Sequence, residues 1–354
     1  MSHDWNFGKL LGKGANGEAY LAYRLDYITQ EPDRSETYVI KKVPIGRETV
    51  LSKSAKLRET QLLAMIKHPY IVTYEDCFIE DGNLYVVMEF AGGGTMEKYC
   101  DPGTPPVPLT LLYDTFVQCM LAVAYLHARK IVHRDLKPAN VFVLEDQSVK
   151  LGDLGEGWLR DTDNAKERWQ DDPAQQGNIV GTPYYLAPEC WRGDCTDLDK
   201  ADVWALGVLL YELCGKSRPF LAKNIHALAM VICADEVQPP PGKAKGTLMG
   251  YPDADIEAIV HKMLDKDAVT RYTCQEVLDM PCLAESVARV HRPDEEWDAG
   301  EGAGVQASLP PSSFLYQWGL ASYRPKCVES LLHKNVVQVT INVNFSMKPR
   351  ENGS

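Results

Sequence analysis

Several things this sequence lacks narrow its function before any motif is read. Its ten cysteines are scattered and contain no Cys-x-x-Cys pair, and no secretory apolar core opens the chain. A disulfide framework is therefore not predicted, and the expected setting is a reducing one, cytoplasm or nucleus. Basic charge is not in excess: 37 Lys and Arg stand against 49 Asp and Glu, a net charge of −12. That balance argues against general nucleic-acid binding and favours basic or neutral partners. Apolar runs such as Val203 to Leu213 are broken by Gly207 and fall short of the roughly 20 apolar residues a membrane span needs. No span and no lipidation signal are predicted. With 45% apolar and 24% charged residues, the composition excludes wholly disordered and collagen-like classes.

What is present divides into regions. At 354 residues the chain is too long for one small core and suits a large two-lobed domain, or a domain with an extension. The first 90 residues read mostly as short strands, at Trp5 to Leu11, Glu18 to Tyr27, Thr37 to Val43, Ile71 to Ile79 and Asn83 to Phe90, with one helical pattern from Leu51 to Ile66. After Gly92-Gly93-Gly94 the texture turns helical. Leu112, Phe116, Cys119, Met120, Val123 and Leu126 form an apolar stripe within Leu109 to Ala128, and Asp202 to Cys214, Ile225 to Cys233 and Asp255 to Leu264 are further helical candidates. Residues 284–312 are polar, acidic and small, and read as a flexible linker. Beyond them Val336 to Ile341 is strongly β-prone.

The chemistry is concentrated in His133-Arg134-Asp135-Leu136-Lys137-Pro138-Ala139-Asn140, followed by Asp153-Leu154-Gly155. One carboxylate, Asp135, can orient an attacking hydroxyl and accept its proton. Lys137 can neutralise charge on a transferring phosphoryl group. Asn140 and Asp153 offer hard oxygen ligands for Mg²⁺. A polar turn would explain one Asp and a Pro, and not the whole ordered set. Upstream, Gly12-Lys13-Gly14-Ala15-Asn16-Gly17 lies between two strand-like runs, where it can fold over a triphosphate or simply form a tight β-turn. Lys41 or Lys42 can enter the cleft, not both, because neighbours on a strand face opposite sides. The Val-Ile-Lys order selects Lys41, and Glu59 on the next helix is its expected partner.

These residues together resemble a eukaryotic protein kinase over residues 5–283. Gly181-Thr182-Pro183-Tyr184-Tyr185-Leu186-Ala187-Pro188-Glu189, Asp202-Val203-Trp204 and Arg271 continue the match in order. The resemblance implies an α+β two-lobed kinase fold, with a β-rich N-lobe (5–89), a helical C-lobe (96–283) and a short C-terminal β extension. It implies ATP and Mg²⁺ as cofactors, a Glu189–Arg271 pair, and Asp202 bracing the catalytic loop. Lys137 and Thr182 sit where serine/threonine kinases carry them. By the same resemblance Leu11, Gly12, Lys13, Gly14, Ala15, Asn16, Gly17, Glu18, Ala19, Val39, Lys41, Glu59, Met88, Glu89, Ala91 and Val143 surround the nucleotide. Met88 would be the gatekeeper, Glu89 and Ala91 the backbone partners of adenine, and Ala19, Val39 and Val143 its apolar walls.

Lys67-His68-Pro69-Tyr70-Ile71-Val72, the Tyr-Val-Ile-Lys strand and Asp-Leu-Gly are similar to NIMA-related kinases. Phe314 to Gly319, Arg324-Pro325 and Asn335 to Val339 resemble one repeat of the regulator-of-chromosome-condensation propeller. A single repeat cannot close a ring, so residues 313–354 read as a truncated propeller, with an unrelated β-hairpin as the other reading. The family implies Ser/Thr-bearing protein substrates, other NIMA-related kinases and microtubule-associated proteins as partners. It also implies a mitotic, microtubule or ciliary role at the centrosome, spindle pole, cilium, cytoplasm or nucleus.

Two departures stand out. Asn178 occupies the usual phosphorylation position in the activation loop, and an amide cannot carry phosphate. Arg134 must then be engaged otherwise, through modified Thr162 or the fixed charges Asp171 and Asp172. Ala19 also replaces the usual Val above adenine. The competing function is a nucleotide-binding pseudokinase scaffold without turnover.

Overall fold

The computed structural model describes residues 4–14, 17–44, 66–154, 157–159, 180–195, 197–234, 236–237, 254–290, 316–319 and 322–327. The chain divides into two compact units, Ser2–Gly300 and Glu301–Ser354 with Met1.

In the first unit, β1 (Trp5–Gly14), β2 (Gly17–Leu25), β3 (Pro32–Pro44), β4 (Tyr74–Glu80) and β5 (Asn83–Glu89) form one antiparallel sheet in the order β1-β2-β3-β5-β4. Alternating side chains give this sheet a small core of Trp5, Ala22, Tyr38, Ile40, Tyr85 and Val87, as period-two strands require. Trp5 meets Tyr38 edge-on at 5.0 Å, with the Arg24 guanidinium 5.1 Å from the Trp5 ring. The register matters for function. It sets Lys41 opposite both Ala19 and Val86, and Val39 opposite Met88.

The helical part is built around α1 (Leu109–Ala128) and, after α2 (Pro188–Arg192), α3 (Leu198–Gly215). By length and composition α1 could cross a membrane, yet Leu112, Phe116, Val117, Met120, Val123 and Leu126 are fully buried in the core of this unit. Helix α3 is buried on nearly every side, as expected of a helix apolar all round. Asp197 caps its start by accepting from Lys200 N, and Lys216 ends it in the left-handed region at φ 46°. Around these lie α4 (Ile225–Ala234), α5 (Ala254–Met263), α6 (Cys274–Leu278) and α7 (Ala284–Val290). Thr273 and Glu276 form a capping box on α6.

Three sequence expectations shift. Helix α7 occupies the residues where the linker was expected to begin. Its Arg289 pairs with Asp114 of α1 at 2.9 Å, and Tyr70 donates to the Val290 carbonyl at 2.9 Å, so the folded unit continues past residue 283. Helix α3 starts at Leu198, four residues ahead of the expected start at Asp202, because its cap lies in a polar turn. The strand expected from Ile71 begins only at Tyr74. The predicted helix from Leu51, with Glu59, lies outside the described residues except for Ile66.

Short strands β6 (Ile131–Val132), β7 (Val141–Val143), β8 (Val149–Leu151) and β9 (Trp158–Leu159) pair as β6 with β9 and β7 with β8. They frame the loops that carry the predicted chemistry. In the second unit, β10 (Tyr316–Gly319) and β11 (Ser322–Cys327) form an antiparallel hairpin. The predicted strand at 336–341 is outside the described residues.

Candidate active site

The loops after β6 and after β8 are each held in a costly conformation. Arg134 has φ 65° and Asp153 φ 55°, and a non-glycine residue in the left-handed region costs about 1–3 kcal/mol. Asp202, on α3, offsets this at the first position. Its Oδ2 accepts from His133 N at 2.8 Å and its Oδ1 from Arg134 N at 2.9 Å. Hydrogen bonds to charged groups contribute about 1.5–3 kcal/mol each. His127, near the end of α1, adds a third contact, Nε2 to Asp202 Oδ2 at 2.9 Å. Burial opposes charge on both side chains. The mutual hydrogen bond overcomes it, holding the Asp202 carboxyl below its ordinary range and pushing His127 up to about 10. Both shifts favour the charged forms of the pair, imidazolium and carboxylate.

The predicted catalytic residues converge on Asp135, which is 7% exposed. Lys137 Nζ donates to Asp135 Oδ2 at 2.7 Å and to Thr182 Oγ1 at 2.8 Å. Thr182 Oγ1 in turn donates to Asp135 Oδ1 at 2.7 Å. Asn140 Nδ2 donates to the Asp135 carbonyl at 2.7 Å and to Oδ2 at 3.0 Å. A Pro138–Asn140 turn and the bond from Gly152 N to the Asn140 carbonyl at 2.9 Å fix Asn140 next to the segment bearing Asp153. The amide nitrogen of Asn140 is committed to Asp135, which leaves Oδ1 as the oxygen suited to a cation. Asp153 meets Lys41 from the sheet, Nζ to Oδ1 at 2.5 Å. Lys41 thus reaches from β3 to the segment after β8, and its described partner is Asp153. Glu59 lies outside the described residues.

The glycine loop is the hairpin between β1 and β2. Gly17 has φ +119°, and a Cβ there would lie 2.1 Å from the Lys42 carbonyl oxygen, so glycine is required. Gly12 and Gly14 lie on β1, Leu11 is exposed, and Lys13 pairs with Glu18 across the hairpin at 2.9 Å. Ala15 and Asn16 are outside the described residues. Met88 faces Val39 on one side and Tyr74 on the other. Ala91 follows the end of β5. Glu89 does more than the sequence reading assigned. Its backbone N–H donates to the Thr73 carbonyl at 3.0 Å, and its carboxylate accepts from Thr73 N at 2.6 Å and from Lys150 Nζ at 2.7 Å. Both side-chain bonds fall on one carboxylate oxygen, Oε1.

Val143 is a correction. It is 2% exposed and belongs to the hydrophobic core, so it does not wall the nucleotide. On a strand the neighbours face the other way, and the half-buried Phe142 packs its ring against Gly152, the residue before Asp153. Phe142, rather than Val143, is thus the β7 side chain set beside the segment bearing Asp153.

On the substrate side, Gly181 has φ +98°, and a Cβ there would sit 2.5 Å from the Arg134 carbonyl oxygen. This close approach seats Thr182 beside Asp135. Glu189 and Arg271 form a buried two-pronged pair, Nη1 to Oε1 at 2.6 Å and Nη2 to Oε2 at 2.9 Å, and Arg271 Nη1 also donates to the Lys200 carbonyl at 2.8 Å. Tyr185 donates to Glu212. Arg134 lines a cavity of about 50 Å³ with Thr182, Cys190 and Asp202. Thr162, Asp171, Asp172 and Asn178 lie outside the described residues. Sequence reasoning missed His127, Phe142 and the Lys150–Glu89 pair. Among these, only His127 carries a signal, as a polar residue closing the apolar last turns of α1.

Comparison with known proteins agrees with this geometry. The "Protein kinase domain" family model matches residues 5–283. The chain is 34% identical over 288 residues to the serine/threonine-protein kinase Nek2 of Mus musculus, covering 78% of this chain and 60% of that protein. It is 32% identical over 288 residues to Nek5 of the same species, covering 81% and 41%, and 31% identical over 294 residues to Nek3, covering 83% and 52%. The chain thus spans at most about three fifths of these relatives. With the family model covering most of its length and the loop at Asp135 assembled as described, this chain belongs to the protein kinase family.

Proposed function

We propose that the protein is a serine/threonine protein kinase that transfers the ATP γ-phosphoryl group to a protein hydroxyl. The observation that carries this reading is the closed set Asp135, Lys137 and Thr182. The carboxylate is held on both oxygens by groups that also border the acceptor site, and Thr182 with Lys137 fits a Ser or Thr acceptor. Bound Mg²⁺–ATP supplies the phosphoryl group and a cation that spreads its charge. Asn140 Oδ1 and the Asp153 carboxylate would hold the cation. They fit Mg²⁺ because it prefers hard oxygens and binds through one or two protein groups together with phosphates. Asp135 orients the acceptor hydroxyl and receives its proton, while Lys137 offsets the charge of the transferring group. Lys41 is positioned to hold phosphate oxygens, with Asp153 keeping it at the cleft. Ala19, Val39, Met88 and Phe142 would enclose the base.

The finer assignment rests on the similarity to Nek kinases. It comprises a NIMA-related enzyme acting on mitotic, microtubule or ciliary proteins, with other kinases of this type as partners, in the cytoplasm, at the centrosome or spindle pole, at the cilium or in the nucleus. Residues 313–354 as one propeller repeat belong to the same reading, supported by their residue pattern. The test is radiolabelled phosphate transfer to a Ser/Thr peptide library, with Asp135→Asn alongside. Equal incorporation by the two proteins would sink the proposal and leave a binding scaffold.

A further inference from the structure

Cys190 and Cys195 are not used by the proposed reaction, yet they are built into its substrate side. Cys190 follows Glu189 directly on α2, and Cys195 lies beyond Gly193, which turns the chain at φ +76°. The turn brings the two sulfurs within 2.8 Å of each other, sharing a hydrogen bond. A disulfide has an S–S length of about 2.03–2.05 Å, so closure needs a movement of under about 1 Å. The two thiols differ in access. Cys195 is 6% exposed and packs against Val132 and Leu198, whereas Cys190 is partly exposed. Both line the cavity of about 50 Å³ beside Arg134 and Thr182, which is partly open to solvent. A water needs only about 10–15 Å³ on a comparable measure, so a small oxidant fits.

The geometry points to a peroxide-sensitive dithiol, in which Cys190 is oxidised first and Cys195 closes a disulfide beside the substrate loop. The Cys190 thiolate attacks hydrogen peroxide, the O–O bond breaks, and an S–O bond forms. The departing hydroxide takes up a proton to become water. The Cys195 sulfur then attacks Cys190 sulfur, the S–S bond forms as the S–O bond breaks, and the second hydroxide leaves with the Cys195 proton as water. In sum two thiols and one peroxide give a disulfide and two waters. The order follows from access, and the hydrogen bond with Cys190, together with burial, raises the Cys195 thiol and keeps it protonated.

Closure draws on α2, whose Glu189 is anchored to Arg271, and so acts on the loop from Gly181 to Pro188. The kinetic consequence rests on the kinase reading. The chemical one does not. The experiment treats the full chain with hydrogen peroxide and maps disulfides by peptide mass spectrometry, with and without dithiothreitol. A reversible 190–195 crosslink is expected. It should be absent in Cys190→Ser and in Cys195→Ala, and Cys195→Ala should trap a sulfenic acid that dimedone labels at Cys190. If Cys195→Ala fails to fold, the wild-type crosslink and its loss in Cys190→Ser still decide. Peroxide that leaves both thiols open to alkylation, or that links other pairs instead, would overturn the proposal. In the oxidised wild type, the peptide KM should rise at least threefold with the ATP KM unchanged. An unchanged peptide KM in protein shown to carry the crosslink would overturn its action on the substrate loop.

Discussion

Asp135 receives hydrogen bonds from Lys137, Thr182 and Asn140, so its orientation is set before any substrate arrives. Replacing the carboxylate by an amide of the same shape removes the proton acceptor and keeps the packing. Asp135→Asn should therefore lower kcat by about 10²–10⁴ while the thermal midpoint stays near wild type, measured by peptide phosphorylation beside a melting curve. Thr182 supports Asp135 without receiving the proton. Thr182→Ala should reduce kcat/KM by about 10–100-fold, the equivalent of one hydrogen bond to a charged group, and Thr182→Ser should restore most of it. A serine that performs no better than alanine would mean the hydroxyl bond to Asp135 contributes nothing. Gly17 belongs at this scale too, because Gly17→Ala places a Cβ against the Lys42 carbonyl and should raise the ATP KM.

The elements act by bringing distant residues together. Helix α3 brings Asp202 under the loop at His133, and α1 brings His127 to the same carboxylate. The sign of the pH dependence follows from the shift at His127, whose value rises from an ordinary 6.5 to about 10 on folding. Its contribution to stability is fully present below pH 6.5 and is lost as pH rises toward about 10. Wild type should lose more stability than His127→Gln between pH 7 and 10, and parallel melting curves across that range would refute the pair's role. The Glu189–Arg271 contact ties the substrate loop to the region before α6. Glu189→Gln leaves a buried guanidinium poorly matched and should cost about 3–5 kcal/mol, read as a lower urea midpoint with an unchanged slope.

How much of this was legible beforehand depended on spacing. Asp135, Lys137 and Asn140 lie within six residues of one another, so their chemistry could be read directly, and the strand bearing Lys41 followed from alternation. Two things could not be read that way. A strand of three apolar residues does not announce which face meets the core, so its order alone does not separate Val143 from Phe142. The partner of a half-buried histidine 75 positions away has no local signature either. Helix α7 was missed because Ala284–Val290 is short and half polar, and it is held by Tyr70 and Asp114 from elsewhere in the chain.

For the molecule as a whole, the sheet and the helical part meet at the cleft through Lys41 and Asp153, so nucleotide should bind the folded chain alone. With Mg²⁺–ATP at a hundred times Kd, stability should rise by about 2.7 kcal/mol, and Asp153→Ala should reduce this gain, as measured by thermal shift. The identity of the chemistry was determined by the sequence itself, because carboxylate, lysine and amide at fixed short spacing leave few other reactions. The tertiary structure decided which side chains surround that chemistry. The pairing of His127 with Asp202, the hold of Glu89 by Lys150, the exchange of Val143 for Phe142 and the approach of Cys190 to Cys195 all depend on where the backbone turns. Burial and strand facing are properties of packed elements, and local residue order does not encode them.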